Sequence, residues 1–162
     1  NYGIGVISYS PLARGVLTGK YAVDAPAPPD SRAGRGDKRI RQTEFRPESL
    51  LVAQSIKAHA EAKGVSAADF ALAWVLNNQF VTSAIVGPRT FEQWQAYLKA
   101  LQYRLTDEDE ALVDALVTPG HASTPGYNDP GHPVRGRVPY PVSEGPGDFS
   151  VYAQAMPQQD KP

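Results

Sequence analysis

The stretch GVISYSPLARGVLTGKY, residues 5–21, decides how the chain is read. An apolar run breaks into Ser-Pro-Leu and then into a cluster of Gly, Thr, Gly and Lys, the pattern of a strand that delivers a loop to a phosphate. A nucleoside-triphosphate loop needs Gly, four residues, then Gly-Lys-Ser/Thr, so that backbone amides wrap one phosphate while the hydroxyl reaches magnesium. Here Gly15 and Gly19 enclose three residues, and Tyr21 stands where Ser or Thr should follow Lys20. The triphosphate reading fails on spacing and on chemistry. The plain alternative, a strand, a turn and an ordinary surface lysine, stays open on these residues alone.

Working outward, Ile4, Val6 and Ile7 form a short apolar run of the kind buried on both faces of a parallel sheet. Periodicity is then lost from 22 to 46. DAPAPPD (24–30) is Pro-rich, and SRAGRGDKRIRQTEFR (31–46) sets Arg32, Arg35, Lys38, Arg39, Arg41 and Arg46 against Asp37 and Glu44. With Phe45 as its one aromatic and no helical face to enter a groove, this stretch is expected to be a solvated loop able to close over a small anionic ligand. A nucleic-acid grip is the weaker alternative.

Helical signals begin at Pro47, suited to a first turn because its missing amide would be unpaired there. Val52, Ile56 and Ala60 recur at four-residue spacing until Gly64 stops the helix. Ser66 with Asp69 resembles a capping box whose acid is one methylene short, and FALAWVL (70–76) is apolar all round, a helix wedged between other elements. VTSAIVG (81–87) reads as a brief strand. Its exit, GPRTFEQWQAYLKAL (87–101), pairs Thr90 with Gln93 at capping-box spacing and puts Phe91, Trp94, Leu98 and Leu101 on one helix face. Free amides at this helix start beside Arg89 suit a phosphate monoester, although a capped helix with a solvated arginine accounts for the same residues. Thr106 and Asp109 open DEDEALVDALV (107–117), with Leu112, Val113 and Leu116 facing inward.

Composition narrows the function classes. The 162 residues suffice for one core, and 41 % apolar with 20 % charged residues is ordinary for a globular domain. A formal charge of -1 gives no global field for nucleic acid or an acidic membrane. The absence of cysteine excludes disulfides and thiolate metal sites and fits a cytoplasmic setting. No apolar run approaches the ~20 residues of a membrane span. His59 falls on a surface helix, and His121 and His132 lack metal-ligand spacing; all three are expected to be solvated or locally hydrogen-bonded. A Ser10–His121–Asp129 hydrolase lacks the nucleophile elbow. Residues 119–162 hold nine Pro and six Gly and are expected to form an irregular tail in which YPV and FSVYAQAM dock at most locally.

Strands alternating with helices imply parallel strands and right-handed crossovers. Two strands are too few for a covered parallel sheet. The expected fold is therefore α/β, a partial (β/α)8 TIM barrel comprising two parallel strands with flanking helices and a Pro/Gly-rich tail. GVISYSPLARGVLTGKY, ALAWVL and IVGPRTFEQWQAYLKAL, in this order and spacing over roughly residues 3 to 120, resemble the C-terminal portion of the aldo-keto reductase family of NADP(H)-dependent TIM-barrel oxidoreductases.

The resemblance implies that Ile4 to Tyr9 and Ser83 to Val86 are the seventh and eighth barrel strands, that residues 1–118 are the cofactor-binding half, and that a carbonyl is reduced to an alcohol. It implies that Tyr9 stacks on the nicotinamide, that Ser10, Pro11, Leu12, Ala13 and Gly15 run along the pyrophosphate with Lys20 in the same wall, and that Gly87, Arg89 and Thr90 surround the adenosine 2′-phosphate. Gln93 then faces the ribose and adenine. Many relatives carry an acid and an Asn three and four residues after that Gln; here Ala96 and Tyr97 stand instead, so the resemblance carries no adenine-edge contact to them. The family's catalytic Asp, Tyr, Lys and His sit on earlier strands, and no residue here matches them, so a non-catalytic nucleotide-binding or structural fragment is the alternative to an enzyme. The resemblance thus implies a small-molecule carbonyl substrate and a missing N-terminal barrel half or partner chain, with no nucleic acid, membrane or metal.

Overall fold

The computed structural model describes residues 4–120 and 122–124. His121, Asp129, His132 and the expected irregular tail from residue 125 lie outside the described residues. Two strands, β1 (Ile7–Tyr9) and β2 (Ser83–Ile85), pair in parallel with Ile7 opposite Ser83 and Tyr9 opposite Ile85. Five helices, α1 (Lys38–Thr43), α2 (Pro47–Ala62), α3 (Ala67–Leu76), α4 (Phe91–Lys99) and α5 (Asp107–Leu116), and two 3-10 segments, Ala13–Thr18 and Ala100–Gln102, complete the order. No helix of the described residues is long and apolar enough to cross a membrane.

Local chemistry sets most boundaries. Pro47 opens α2, and Gly64, at φ +75, closes it with the Val65 amide donating to the Ala60 carbonyl at 3.0 Å. Ser66 caps α3 by accepting from the Asp69 amide, and Thr106 and Asp109 form the full reciprocal box at α5. The apolar helix α3 is wedged as expected, with Phe70, Ala71, Leu72 and Ala73 all buried. Leu17, from the first 3-10 segment, packs against all three core clusters: one around Tyr21, Ile40 and Leu50, one around Ile56 and Phe70, and one around Leu12 and Leu72.

Three expectations are corrected, and one shared helix face is left uncovered. The 22–46 stretch is not a solvated loop throughout: Asp37 accepts from the Arg39 and Ile40 amides and nucleates α1, which sends Ile40 into the core beside fully buried Ala33. The first strand is not buried on both faces. Ile4 is 79 % exposed and Ile7 and Tyr9 are also exposed, because among the described residues only β2 pairs with β1. Helix α4 buries none of its residues, and Phe91 stands 62 % exposed, since a shared face buries only where another layer covers it. The Thr90–Gln93 box is half formed: the Gln93 amide donates to Thr90 Oγ1 at 3.3 Å, but Gln93 Oε1 accepts from the Arg89 amide, at 2.7 Å, instead of from the Thr90 amide.

Candidate functional site

At the tip of β1 the backbone leaves the extended region abruptly. Ser10, Ala13 and Arg14 have φ of +54, +46 and +55, and Gly15 follows at +95. Left-handed backbone costs an L-residue about 1–2 kcal/mol, so three such residues within five are sustained by what surrounds them. The Ala13 amide donates to the Ser10 carbonyl and the Gly15 amide to the Leu12 carbonyl, both at 2.8 Å, and Thr18 Oγ1 donates to the Gly15 carbonyl at 2.8 Å. Leu12 and Val16 anchor this coil in the core, leaving its other side to face outward.

That side forms one wall of a cleft of about 470 Å³ that runs between the tips of β1 and β2. Tyr9, Ser10, Pro11, Leu12, Gly15 and Lys20 come from the first strand and its loop, and Gly87, Arg89 and Gln93 from the exit of the second. Nine of the eleven residues singled out in the sequence thus share one cavity. The other two do not line it. Thr90 uses its hydroxyl to cap α4, and Ala13 faces a second, apolar hollow of about 560 Å³ walled by Leu17, Val52, Trp74 and Val113.

Among the further cleft residues, Arg14 went unrecognised in the sequence, whereas Arg32 and Arg35 belong to the stretch expected to close over an anionic ligand. Arg14, Arg32 and Arg35 join Lys20 and Arg89 in the lining, five cations against the carboxylates of Asp30 and Asp69. The basic segment therefore does reach over the cavity. Its placement is fixed locally: Arg32 pairs with Asp37 at 3.5 Å, Arg14 with Glu44 at 3.4 Å, and Arg41 donates to the Ala33 carbonyl at 3.0 Å. The Ile40 amide, donating to the Asp37 carboxyl, holds it below the usual carboxylate range against an opposing desolvation, with the Arg39 amide, Arg32 and Arg14 adding to the effect. Because these arginines are committed to different partners and directions, the stretch is not a continuous basic strip.

The lining of the cavity has the chemistry that phosphate oxygens require. A Cβ at Gly15 would meet Lys20 Nζ at 3.0 Å, so glycine there leaves the ammonium its place in the cleft, and a Cβ at Gly87 would meet nothing within 4 Å. Arginine forks and backbone amides are suited to phosphate oxygens.

A second polar cluster lies apart from this cleft, among α2, the 103–106 turn and α5. Asp109, 0 % exposed, accepts from His59 Nε2 at 2.6 Å, Lys63 Nζ at 2.7 Å, the Tyr103 hydroxyl at 2.9 Å and the Thr106 amide at 2.8 Å. Burial alone would raise this carboxyl, but the donors from Lys63, Thr106, His59 and Tyr103 together hold it well below the usual range. Its hydrogen bond raises Lys63, and burial together with the bond to Asp109 pushes Tyr103 up to about 12. His59 is thus hydrogen-bonded, to a residue fifty positions away rather than to a near neighbour. The sequence signal for Asp109 was its capping-box spacing, which says nothing of the other three donors.

A model of the aldo/keto reductase family matches residues 1–118. The chain is 35 % identical over 127 residues to an L-glyceraldehyde 3-phosphate reductase of Escherichia coli O157:H7, covering 74 % of this chain and 35 % of that protein. It is 36 % identical over 129 residues to a probable voltage-gated potassium channel subunit beta of Oryza sativa subsp. japonica, covering 78 % of this chain and 39 % of the relative. It is 31 % identical over 126 residues to an uncharacterized oxidoreductase of Bacillus subtilis (strain 168), covering 77 % and 36 %. The chain spans little more than a third of the length of these relatives.

Proposed function

The chain belongs to the aldo/keto reductase family, and from that premise we propose that residues 1–118 supply the cofactor cleft of an NADP(H)-dependent oxidoreductase that reduces a carbonyl to an alcohol. The observation that carries this reading is the convergence of Tyr9 and Arg89, eighty residues apart, on one cation-lined cavity at adjacent strand tips. When bound, the cofactor supplies the hydride. Tyr9 offers an exposed ring for the nicotinamide to lie on. Lys20, Arg14 and Arg32 face the diphosphate. The Arg89 guanidinium holds the 2′-phosphate, and Gln93 fixes the backbone from which it projects.

The acid that protonates the carbonyl oxygen belongs, in this proposal, to polypeptide outside residues 1–162, a barrel half or a partner chain that covers the exposed face of β1 and β2. Asp109, Tyr103, Lys63 and His59 are of the residue types used for catalysis in the family, but they do not perform it here. The Tyr103 hydroxyl is spent on Asp109, and a hollow that Tyr103 lines, about 10 Å³, admits no substrate. The cytoplasmic setting is part of the same proposal and rests on the cysteine-free composition.

Calorimetric titration with NADPH and NADH tests the reading. The chain is expected to prefer NADPH at least tenfold, and Arg89→Ala to weaken NADPH about thirtyfold while leaving NADH within twofold, as a charge-assisted phosphate contact of about 2 kcal/mol requires. Equal losses for both nucleotides overturn the assignment of Arg89.

A further inference from the structure

Nothing in the proposed cofactor chemistry uses the apolar hollow bordered by α2, α3, α5 and the chain from Val117 onward. Leu17, Val52, Ile56, Phe70, Trp74 and Val113 are among its walls, and it measures about 560 Å³. Apolar walls around a space of that size are costly while they face water, and a filler that brings no charge relieves them.

The described residues end at this cavity. Ala122 and Ser123 line it, Ser123 Oγ is hydrogen-bonded to Ser49 Oγ at 2.8 Å, and Arg46 Nε donates to Thr124 Oγ1 at 2.6 Å. Residues 125–162 therefore set out from a point fixed at its border. In their sequence Pro or Gly interrupts every stretch longer than four residues except DFSVYAQAM (148–156). There Phe149, Tyr152 and Met156 have the i, i+3, i+7 spacing of one helix face, and residues 149–156 carry no charge. The other apolar piece of this sequence is barred from a helical turn, because Tyr140 stands between Pro139 and Pro141. A segment tethered about 25 residues from its seat meets it at an effective concentration of about millimolar, so modest apolar burial holds it there.

We propose that residues 149–156 occupy the hollow, with Phe149, Tyr152 and Met156 set against Val52, Trp74 and Val113. The chain thereby covers from within itself a space that Ala13 and Leu17 of the strand-tip coil also line. The proposal does not depend on the nucleotide reading.

Trp74 lines the hollow, and the sequence holds one other tryptophan, Trp94, and no cysteine. The 162-residue chain with Trp94→Phe and Gln154→Cys thus has one emitter and one site for a nitroxide label, which quenches indole emission only near contact. Gln154 lies off the Phe149–Tyr152–Met156 face, so the label leaves the seat free. Emission is compared before and after the nitroxide is reduced, which cancels any change in the fold common to both states. The label at 154 is expected to lower Trp74 emission about twofold or more, and a label placed instead through Ser143→Cys to leave it nearly unchanged. Phe149→Ser with Met156→Ser in the 154-labelled chain is expected to restore the emission. Equal emission from the oxidised and reduced 154-labelled chain overturns the proposal, as does quenching that survives the paired substitution or is as strong from 143. Quenching that grows with protein concentration overturns it too, because the occupant is then a second copy.

Discussion

The strand-tip cleft and the Asp109 cluster are built from the same kinds of side chain and differ in everything else. Around Asp109, itself fully buried, four donors close on one carboxylate. Around the cleft the charged groups are spread over about 470 Å³. The first arrangement spends its polar capacity on itself and ties α5 to α2; the second holds its capacity in reserve for a ligand. Residue types alone do not mark a site, because Asp, Tyr, Lys and His at the first cluster have no room in which to act. What marks one is unsatisfied bonding capacity next to open volume.

Three substitutions separate the two regions, and the largest effect falls on the closed one. Asp109→Ala strands His59 and Tyr103 around an absent acceptor and leaves Lys63 to Glu108 and Thr106. It is expected to lower unfolding free energy by about 3 kcal/mol, read by urea denaturation through Trp fluorescence, with little change in NADPH affinity of the folded chain. A loss under 1 kcal/mol would mean that solvent already shares this carboxylate. Gly15→Ala acts on the open region. With φ at +95 and its new Cβ against Lys20 Nζ, it is expected to cost about 1 kcal/mol of stability and to weaken NADPH severalfold, which titration of the folded variant checks.

The third substitution is read in the pH profile of stability. Asp109 is lowered from 3.8, so its contribution is full above that value and drains away as the pH falls below it. Tyr103 is raised from 10.0 to about 12, so the unfolded chain loses that proton first, and stability falls as the pH rises between those values. Lys63, raised from 10.5, adds to the same alkaline decline. Tyr103→Phe is expected to cost about 1 kcal/mol at neutral pH and to flatten the alkaline limb more than the acid limb, which Lys63, Thr106 and His59 still sustain. An unchanged alkaline limb would show that the hydroxyl is already exchanged with water.

How far the sequence disclosed these regions depends on the range of the forces involved. Pro47, Gly64, Ser66 and Thr106 act within one turn of backbone, and the helices they bound appear where periodicity and caps put them. The cleft was legible through Gly15, Lys20 and Arg89 because their spacing around two strand ends resembles a known family. The Asp109 partners were not, since His59 and Lys63 reach it across some fifty residues, a separation on which local pattern is silent. Asp37 shows a different loss: its capping signal was present but stood in a run of arginines that drew the eye to charge. Phe91 and Trp94 share a face that carries no instruction about whether anything covers it.

Leu17 gives the cleft a mechanical character. It sits in the same six-residue segment as Gly15 and Thr18, which border the cavity, while its own side chain is wedged into all three apolar clusters. Lifting that rim means withdrawing a keystone from the whole helical layer. A guest seated against the segment therefore tightens the entire scaffold beneath it, and slower amide exchange should reach α2 and α3 as well as the rim.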